Sequence, residues 1–334
     1  MLQADEVQRY LTTVQAQADP DGAFAIAPQT AEFETRSHQF RTLFPALLPH
    51  CQALGLTDRD RIAADLWALW LPLAQQLSRD RETLGRPVVQ GLLGGQGTGK
   101  TTLARILGLI LDSFDCRSVQ FSLDDLYKSY IERQQLQQAD PRLIWRGPPG
   151  THDVAIGIDL LDKLRQARRR LPVIVPRFDK SAVGGLGDKA APEVVDGVDV
   201  VIFEGWCVGA RPVDPQVFDD PPDPIVTESD RTFARDMNDR LFDYVPLWHR
   251  LDRLLILQPV DYRLSQQWRK DAEHQMIAQG KSGLSDAEID QFVAYFWKAL
   301  HPELFITPLT QNPLLTDLVV EIGRDRTLGR IYRP

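Results

Sequence analysis

The chain has 334 residues, a length that suits one large domain or two modest ones. Its 43% hydrophobic and 25% charged residues exclude the disordered and collagenous classes. With 46 acidic against 38 basic residues the formal charge is -8, which argues against a bulk nucleic-acid binder, and Cys51, Cys116 and Cys207 are too few and scattered for a disulfide framework or a thiolate zinc cluster.

The first twenty residues hold Asp5, Glu6 and Asp19 and lack the basic-then-apolar order of a secretory signal; they are also too acidic for a transit segment. No uncharged apolar run reaches the length of about 18 residues that a membrane span needs. These features predict a cytoplasmic protein, in a reducing compartment, that binds neither nucleic acid nor membrane and is a monomer or small homo-oligomer.

Residues 1–85 read as a helical region, with apolar positions recurring at Val7, Tyr10 and Leu11 and again at Ala64, Leu66, Leu69, Trp70 and Leu73. Gly22, Pro28 and Pro45 break the pattern, which predicts several short helices, either a separate subdomain or a layer packed on the main one. Residues 86–334 read differently. A buried strand is expected at 88–93, then a glycine-rich turn, then a helix over 101–114, the opening unit of an α/β nucleotide-binding domain. Further strands are expected at 119–123, 171–175, 198–203, 254–260 and 318–322, with helices over 155–167 and 261–278. Val200, Val201, Ile202 and Phe203 suit a central strand covered on both faces. Residues 182–192 and 214–224 read as loops. The expected fold class is α/β: a mostly parallel sheet flanked by helices, with the N-terminal helical region beside it.

Gly94, Gly95, Gln96, Gly97, Thr98, Gly99, Lys100 and Thr101, followed by Thr102, meet the phosphate-loop pattern in full and lie between the expected strand and helix. The glycines let backbone amides turn toward phosphate oxygens, and the helix start adds unpaired N–H donors. Lys100 is expected to reach the transferring phosphoryl group and Thr101 to offer its hydroxyl to Mg2+. The next strand ends in Asp124 and Asp125, where ligands of open α/β sheets gather; one carboxylate can orient and deprotonate an acceptor hydroxyl while the other supports metal or hydrogen bonds, and an acidic helix cap is the competing reading. Glu204 follows the central strand and suits Mg2+ held through water, or positioning of the nucleophile, with Gly205 permitting close approach of a nucleotide.

Arg146, Arg177 with Lys180, and Arg211 stand in loop-like surroundings after successive strands and suit recognition of a carboxylate or phosphate, or else surface ion pairs. Arg269 and Lys270, on the helix after the 254–260 run, either close over the phosphates or form a solvated face, and Trp268 beside them reads as packing. His152 has no companion at metal-ligand spacing and suits the cap of a helix starting near Asp153.

The ordered set resembles the D-glycerate 3-kinases of plant and cyanobacterial type, within the P-loop kinases that include uridine kinase, phosphoribulokinase and pantothenate kinase. Its pieces are residues 94–102, the Ser-Leu-Asp-Asp-Leu-Tyr run at 122–127, the Arg-Gly-Pro-Pro-Gly-Thr-His-Asp block at 146–153, residues 176–181, Glu-Gly-Trp-Cys-Val-Gly at 204–209, 237–241 and 283–286. The resemblance covers roughly residues 85–330 and implies a P-loop NTPase fold with a lid helix near 261–280. It implies ATP and Mg2+ as cofactors and D-glycerate as the acceptor, phosphorylated to 3-phosphoglycerate. It further implies Asp124 as the base for the acceptor hydroxyl, Lys100 and Thr101 as the phosphate and metal groups, Glu204 near metal or acceptor, and Arg269 as lid charge; its strand-end position places Asp125 with Thr101 and Glu204 as the expected metal groups. The acceptor site expected with it comprises Asp124, Tyr127, Arg146, His152, Arg177 and Arg211, one of the arginines holding the glycerate carboxylate by charge complementarity. A kinase of another small alcohol, such as a nucleoside or pantothenate, and a partner-regulated NTPase are the alternatives.

Overall fold

A computed structural model describes residues 2–166, 172–278 and 283–334. The N-terminal region folds as α1 (Ala4–Ala16), α2 (Ala31–Ala53) and α3 (Arg59–Asp65), which continues through a π turn (Leu66–Trp70) into α4 (Leu71–Leu84). The expected break at Pro45 does not occur: α2 runs on through Pro45 and Pro49. A proline inside a helix costs about 3 kcal/mol, and burying Phe40, Phe44, Leu47 and Leu48 returns about 1.5–3 kcal/mol each, so packing outweighs the lost backbone bond.

The rest of the chain alternates in order β1 (Val88–Gly94), α5 (Lys100–Asp112), β2 (Ser118–Ser122), α6 (Tyr130–Ala139), α7 (Val154–Leu164), β3 (Val173–Asp179), β4 (Asp188–Val195), β5 (Val200–Gly205), α8 (Glu228–Arg240), α9 (Val245–Trp248), β6 (Arg253–Pro259), α10 (Leu264–Ala278), α11 (Asp286–Ala299), α12 (Pro302–Phe305), β7 (Leu318–Ile322) and β8 (Leu328–Tyr332). The sheet order is β2-β5-β1-β6-β7-β8, parallel except for the antiparallel edge strand β8. This is an α/β architecture of P-loop NTPase type. Of the expected elements, residue 167 of one helix, residue 171 of one strand and residues 279–280 of the lid lie outside the described residues.

Alternation along the parallel strands divides the core in two. Val88, Leu92, Val200, Ile202, Leu255 and Leu257 face α5 and the N-terminal helices, which therefore form a layer on the sheet and share its core. Val89, Leu93, Val201, Phe203, Leu254 and Ile256 face the other way, toward α7, α8, α9 and α11. The central position of 200–203 follows from the unbroken apolar run, and all four residues are buried.

One strand lies elsewhere than expected. The run at 171–175 does not join the sheet: β3 pairs antiparallel with β4 in a separate ribbon, and β4 begins inside the stretch 182–192 that reads as loop. β3 buries Val173 and Val175 in the core, but β4 buries no residue and carries no apolar alternation; Ile174 and Val194 face each other across the pair at 65% and 64% exposure. Among the described residues, no helix is long and apolar enough to cross a membrane.

Candidate active site

The carboxyl ends of β1, β2 and β5 lie side by side, with Leu92 and Ser122 both in register with Glu204. Residues that leave these strands are thus delivered to one edge of the sheet, where ligands of open α/β folds bind. β1 delivers the phosphate loop. Gly97 holds φ +77°, and a Cβ there would lie 2.6 Å from the Cβ of Trp268, so both conformation and space demand glycine. Thr98 is buried and donates to Gly95 O at 2.9 Å, closing the loop on itself. Thr102 follows on the first turn of α5, which starts at Lys100 with no side-chain cap, so its amides remain available to an anion.

Lys100 Nζ donates to Gly95 O at 2.9 Å, inside the loop. Burial draws its pKa below the usual lysine range, while Glu204 and Asp124 oppose that shift. Thr101 Oγ1 donates to Glu204 Oε1 at 2.9 Å. These two oxygens form the kind of hard, partial donor set that Mg2+ accepts when phosphate oxygens and water complete its shell. Among the described residues no three His, Cys, Asp or Glu side chains gather into a full metal cage. Gly205 faces protein instead of nucleotide: a Cβ there would come within 2.7 Å of Leu123 Cβ.

β2 delivers the paired aspartates, and the structure separates their roles. Asp125 is the cap: Oδ2 accepts from Ser122 N at 2.9 Å and from the Arg177 guanidinium at 3.0 Å, and Oδ1 accepts from Phe178 N at 3.1 Å. With both oxygens engaged by protein it ties β2 to the ribbon, which departs from the metal role expected for it. Asp124 faces the site, its Oδ2 2.5 Å from Lys180 Nζ, and it accepts a hydrogen bond from the Tyr127 hydroxyl. Burial works to raise its carboxyl, but the Lys180 charge and the hydrogen bonds from Lys180 and Tyr127 prevail and hold it below the usual carboxylate range. Tyr127 is itself pushed well above the ordinary phenol range, first by burial and then by Asp124.

His152 stacks on Tyr127 with ring centroids 4.6 Å apart at 18°. It does not cap α7; Asp153 does, accepting from Ile156 N. Burial lowers the His152 pKa to about 3, against the pull of Asp124, so the ring is neutral. Trp206 Nε1 donates to Gly147 O at 3.2 Å, fastening the 146–153 block to the end of β5. Cys207 is buried, and burial followed by Asp124 raises its thiol, so it stays protonated.

The arginines divide as well. Arg177 is held by Asp125, Glu193 and Gln120 O, which makes it a clasp of the ribbon and departs from the substrate-ligand role expected for it. Arg146 donates to Gly185 O and Leu186 O at 3.0 and 2.9 Å and lies over the Phe178 ring. Arg211 is half-buried, burial lowers its pKa, and its Nε is buried without a partner among the described residues. Arg269 pairs with Glu273 Oε2 at 2.8 Å one turn along α10 and lies over Phe292, so the structure turns it toward its own helix and α11 in place of the expected phosphates. Lys270 pairs with Asp290 on α11 at 2.6 Å. Trp268, expected as packing, is indeed buried and forms the wall against Gly97.

Sequence reasoning left Lys180 as one positive group among several and missed Tyr244 altogether. A lysine three residues beyond Arg177 in a loop-like stretch gave no sign that a ribbon would carry it onto Asp124.

A phosphate loop with Lys100 inside it, a Thr–Glu oxygen pair beside it and an ionised carboxylate across from it define a P-loop kinase site. No family model matches the chain. It is 32% identical over 231 residues to the uncharacterized kinase mug58 of Schizosaccharomyces pombe, spanning 66% of this chain and 82% of that one. It is 31% identical over 252 residues to the chloroplastic D-glycerate 3-kinase of Arabidopsis thaliana, spanning 72% of this chain and 53%, about half, of that one. The solved D-glycerate 3-kinase of Cryptococcus neoformans superposes with a TM-score of 0.69 at 26% identity, over 78% of this chain and 99% of that chain. The chain belongs to the same P-loop kinase family as the fission-yeast protein, a family related to D-glycerate 3-kinase and to other small-molecule kinases.

Proposed function

We propose that this chain transfers the γ-phosphoryl group of ATP to the primary hydroxyl of D-glycerate, giving 3-phosphoglycerate. The observation that carries the reading is Asp124, kept ionised by Lys180 and Tyr127 beside Lys100; the likeness to two D-glycerate 3-kinases supports the choice of acceptor.

Asp124 accepts the hydrogen bond of the acceptor hydroxyl, aligns its oxygen with the γ-phosphorus and takes its proton as the new O–P bond forms and the bond from γ-phosphorus to the bridging oxygen breaks. Lys100 exchanges Gly95 O for phosphate oxygens and stabilises the charge on the transferring group. Thr101 and Glu204 would hold Mg2+, which would supply positive charge to offset that of the phosphates. Lys180, whose ammonium keeps two donors beyond the one on Asp124, and Arg211, with its unpaired buried donor, hold the carboxylate of the acceptor.

The test is ADP release with Mg-ATP and D-glycerate, L-glycerate, uridine or pantothenate, with the phosphate position assigned by 31P and 13C NMR. D-glycerate-dependent turnover to the 3-phosphate is expected. Preferred turnover of uridine or pantothenate moves the acceptor assignment to that alcohol, and hydrolysis that no acceptor stimulates overturns the kinase reading in favour of a partner-regulated NTPase.

A further inference from the structure

Tyr244 ends the turn after α8 and is 1% exposed. Its oxygen accepts from Gly150 N at 2.9 Å. A phenol oxygen has two lone pairs and one proton. One lone pair is taken by that amide, and the phenol proton has His152 Nδ1, 2.7 Å away, as its acceptor among the described residues. The opposite arrangement, with Nδ1–H donating to the phenol oxygen, would leave the phenol proton buried with no acceptor among the described residues. Nδ1 is therefore the acceptor of this bond, and the proton of the neutral ring sits on Nε2.

That Nε2 is buried, on a residue 2% exposed, and has no partner among the described residues. An unanswered buried donor is costly, so its retention calls for a ligand atom. The ring stacks on Tyr127, whose hydroxyl is bonded to Asp124, and the Asp124 charge reaches the imidazole. The imidazole is thus one side chain removed from the proposed base.

We infer that Tyr244 is a positioning residue that fixes His152 as the Nε2–H tautomer, and that this N–H donates to an oxygen of the acceptor. The pocket then selects an acceptor with a hydroxyl or carboxylate oxygen at that point and rejects one with an amine there, because two donors would meet. The inference rests on the reading that the acceptor binds beside Asp124. The tautomer itself is independent of which acceptor that is.

The experiment is long-range 1H–15N correlation of the 15N-labelled full chain, whose six histidines are assigned with the help of His152→Gln. The expected result is an Nε2–H ring in the wild type, loss of that fixed state in Tyr244→Phe, and a shift of the Nε2 signal on adding D-glycerate with a non-hydrolysable ATP analogue. In kinetics, Tyr244→Phe and His152→Asn raise the KM for the acceptor by about tenfold with the KM for ATP unchanged, whereas His152→Gln, whose amide nitrogen can stand near the Nε2 position, recovers most of the loss. A wild-type Nδ1–H ring overturns the proposal, as does an acceptor KM that neither Tyr244→Phe nor His152→Asn changes. If Tyr244→Phe does not fold, the wild-type tautomer and the Gln/Asn pair still decide. If D-glycerate is not turned over but the Nε2–H tautomer is found, the acceptor assignment falls and the role of Tyr244 stands.

Discussion

The nucleotide half of the site draws its groups from one stretch, residues 94–102, whereas the acceptor half gathers Asp124, His152, Lys180 and Tyr244 from four stretches separated by helices and a ribbon. In the first, backbone geometry does the positioning: once β1 and α5 form, the loop has little freedom left. In the second, position depends on packing, on Asp125 and Arg177 holding the ribbon to β2 and on Tyr244 holding His152. The difference teaches that phosphoryl transfer and acceptor choice rest on separable supports. Substitutions should accordingly divide between the KM for nucleotide and the KM for acceptor.

The sharpest way to break this division is to compare Lys100→Ala with Asp124→Asn. Each is expected to lower kcat by about 10²–10⁴-fold, but only the first should weaken nucleotide binding measured by calorimetry. Equal loss of nucleotide affinity in both would join the two halves. Lys180→Ala comes next, with an acceptor KM raised about tenfold. It also carries a pH signature. Asp124 works as the ionised form, so activity falls as pH drops through its pKa, which Lys180 holds low against burial. Removing Lys180 leaves burial less opposed, and the acid limb of kcat/KM should move to higher pH; a limb that stays put would remove Lys180 from the account.

The smallest effect is a control outside both halves. Asp65, in the N-terminal layer, has its carboxyl raised to about 7 by burial, with Arg61 opposing and Asp58 assisting. The folded state then holds a proton that the unfolded chain releases, so stability is greatest at the acid end and declines as pH rises from about 4 to about 7. Asp65→Asn should flatten that decline and raise Tm near pH 8 by about 2–5 °C, leaving both KM values unchanged.

How legible the molecule is in its sequence follows the same divide. The β1, phosphate-loop and α5 unit can be read because a buried run, glycines at fixed offsets and helical spacing all fall within residues 88–112. The parallel strands can be read for the same reason, since burial on both faces leaves an unbroken apolar run. β4 cannot, because its exposed residues carry no pattern. Asp124 and Asp125 are neighbours of identical chemistry, and only the fold shows one capping a turn and the other facing Lys180. Arg269 reads as lid charge until Glu273 is seen one helical turn away, and Tyr244, between Phe242 and Trp248, carries no sign in the sequence of the histidine it meets.

The contact between Trp268 and Gly97 leaves no room for even a methyl group between α10 and the phosphate loop. The indole is also anchored at its far end, where Nε1 donates to Arg324 O at 3.1 Å and the Arg326 guanidinium lies over the ring. Any tilt of α10 is therefore transmitted to the loop, and the indole serves as a built-in optical gauge: its emission should report the moment the phosphates arrive.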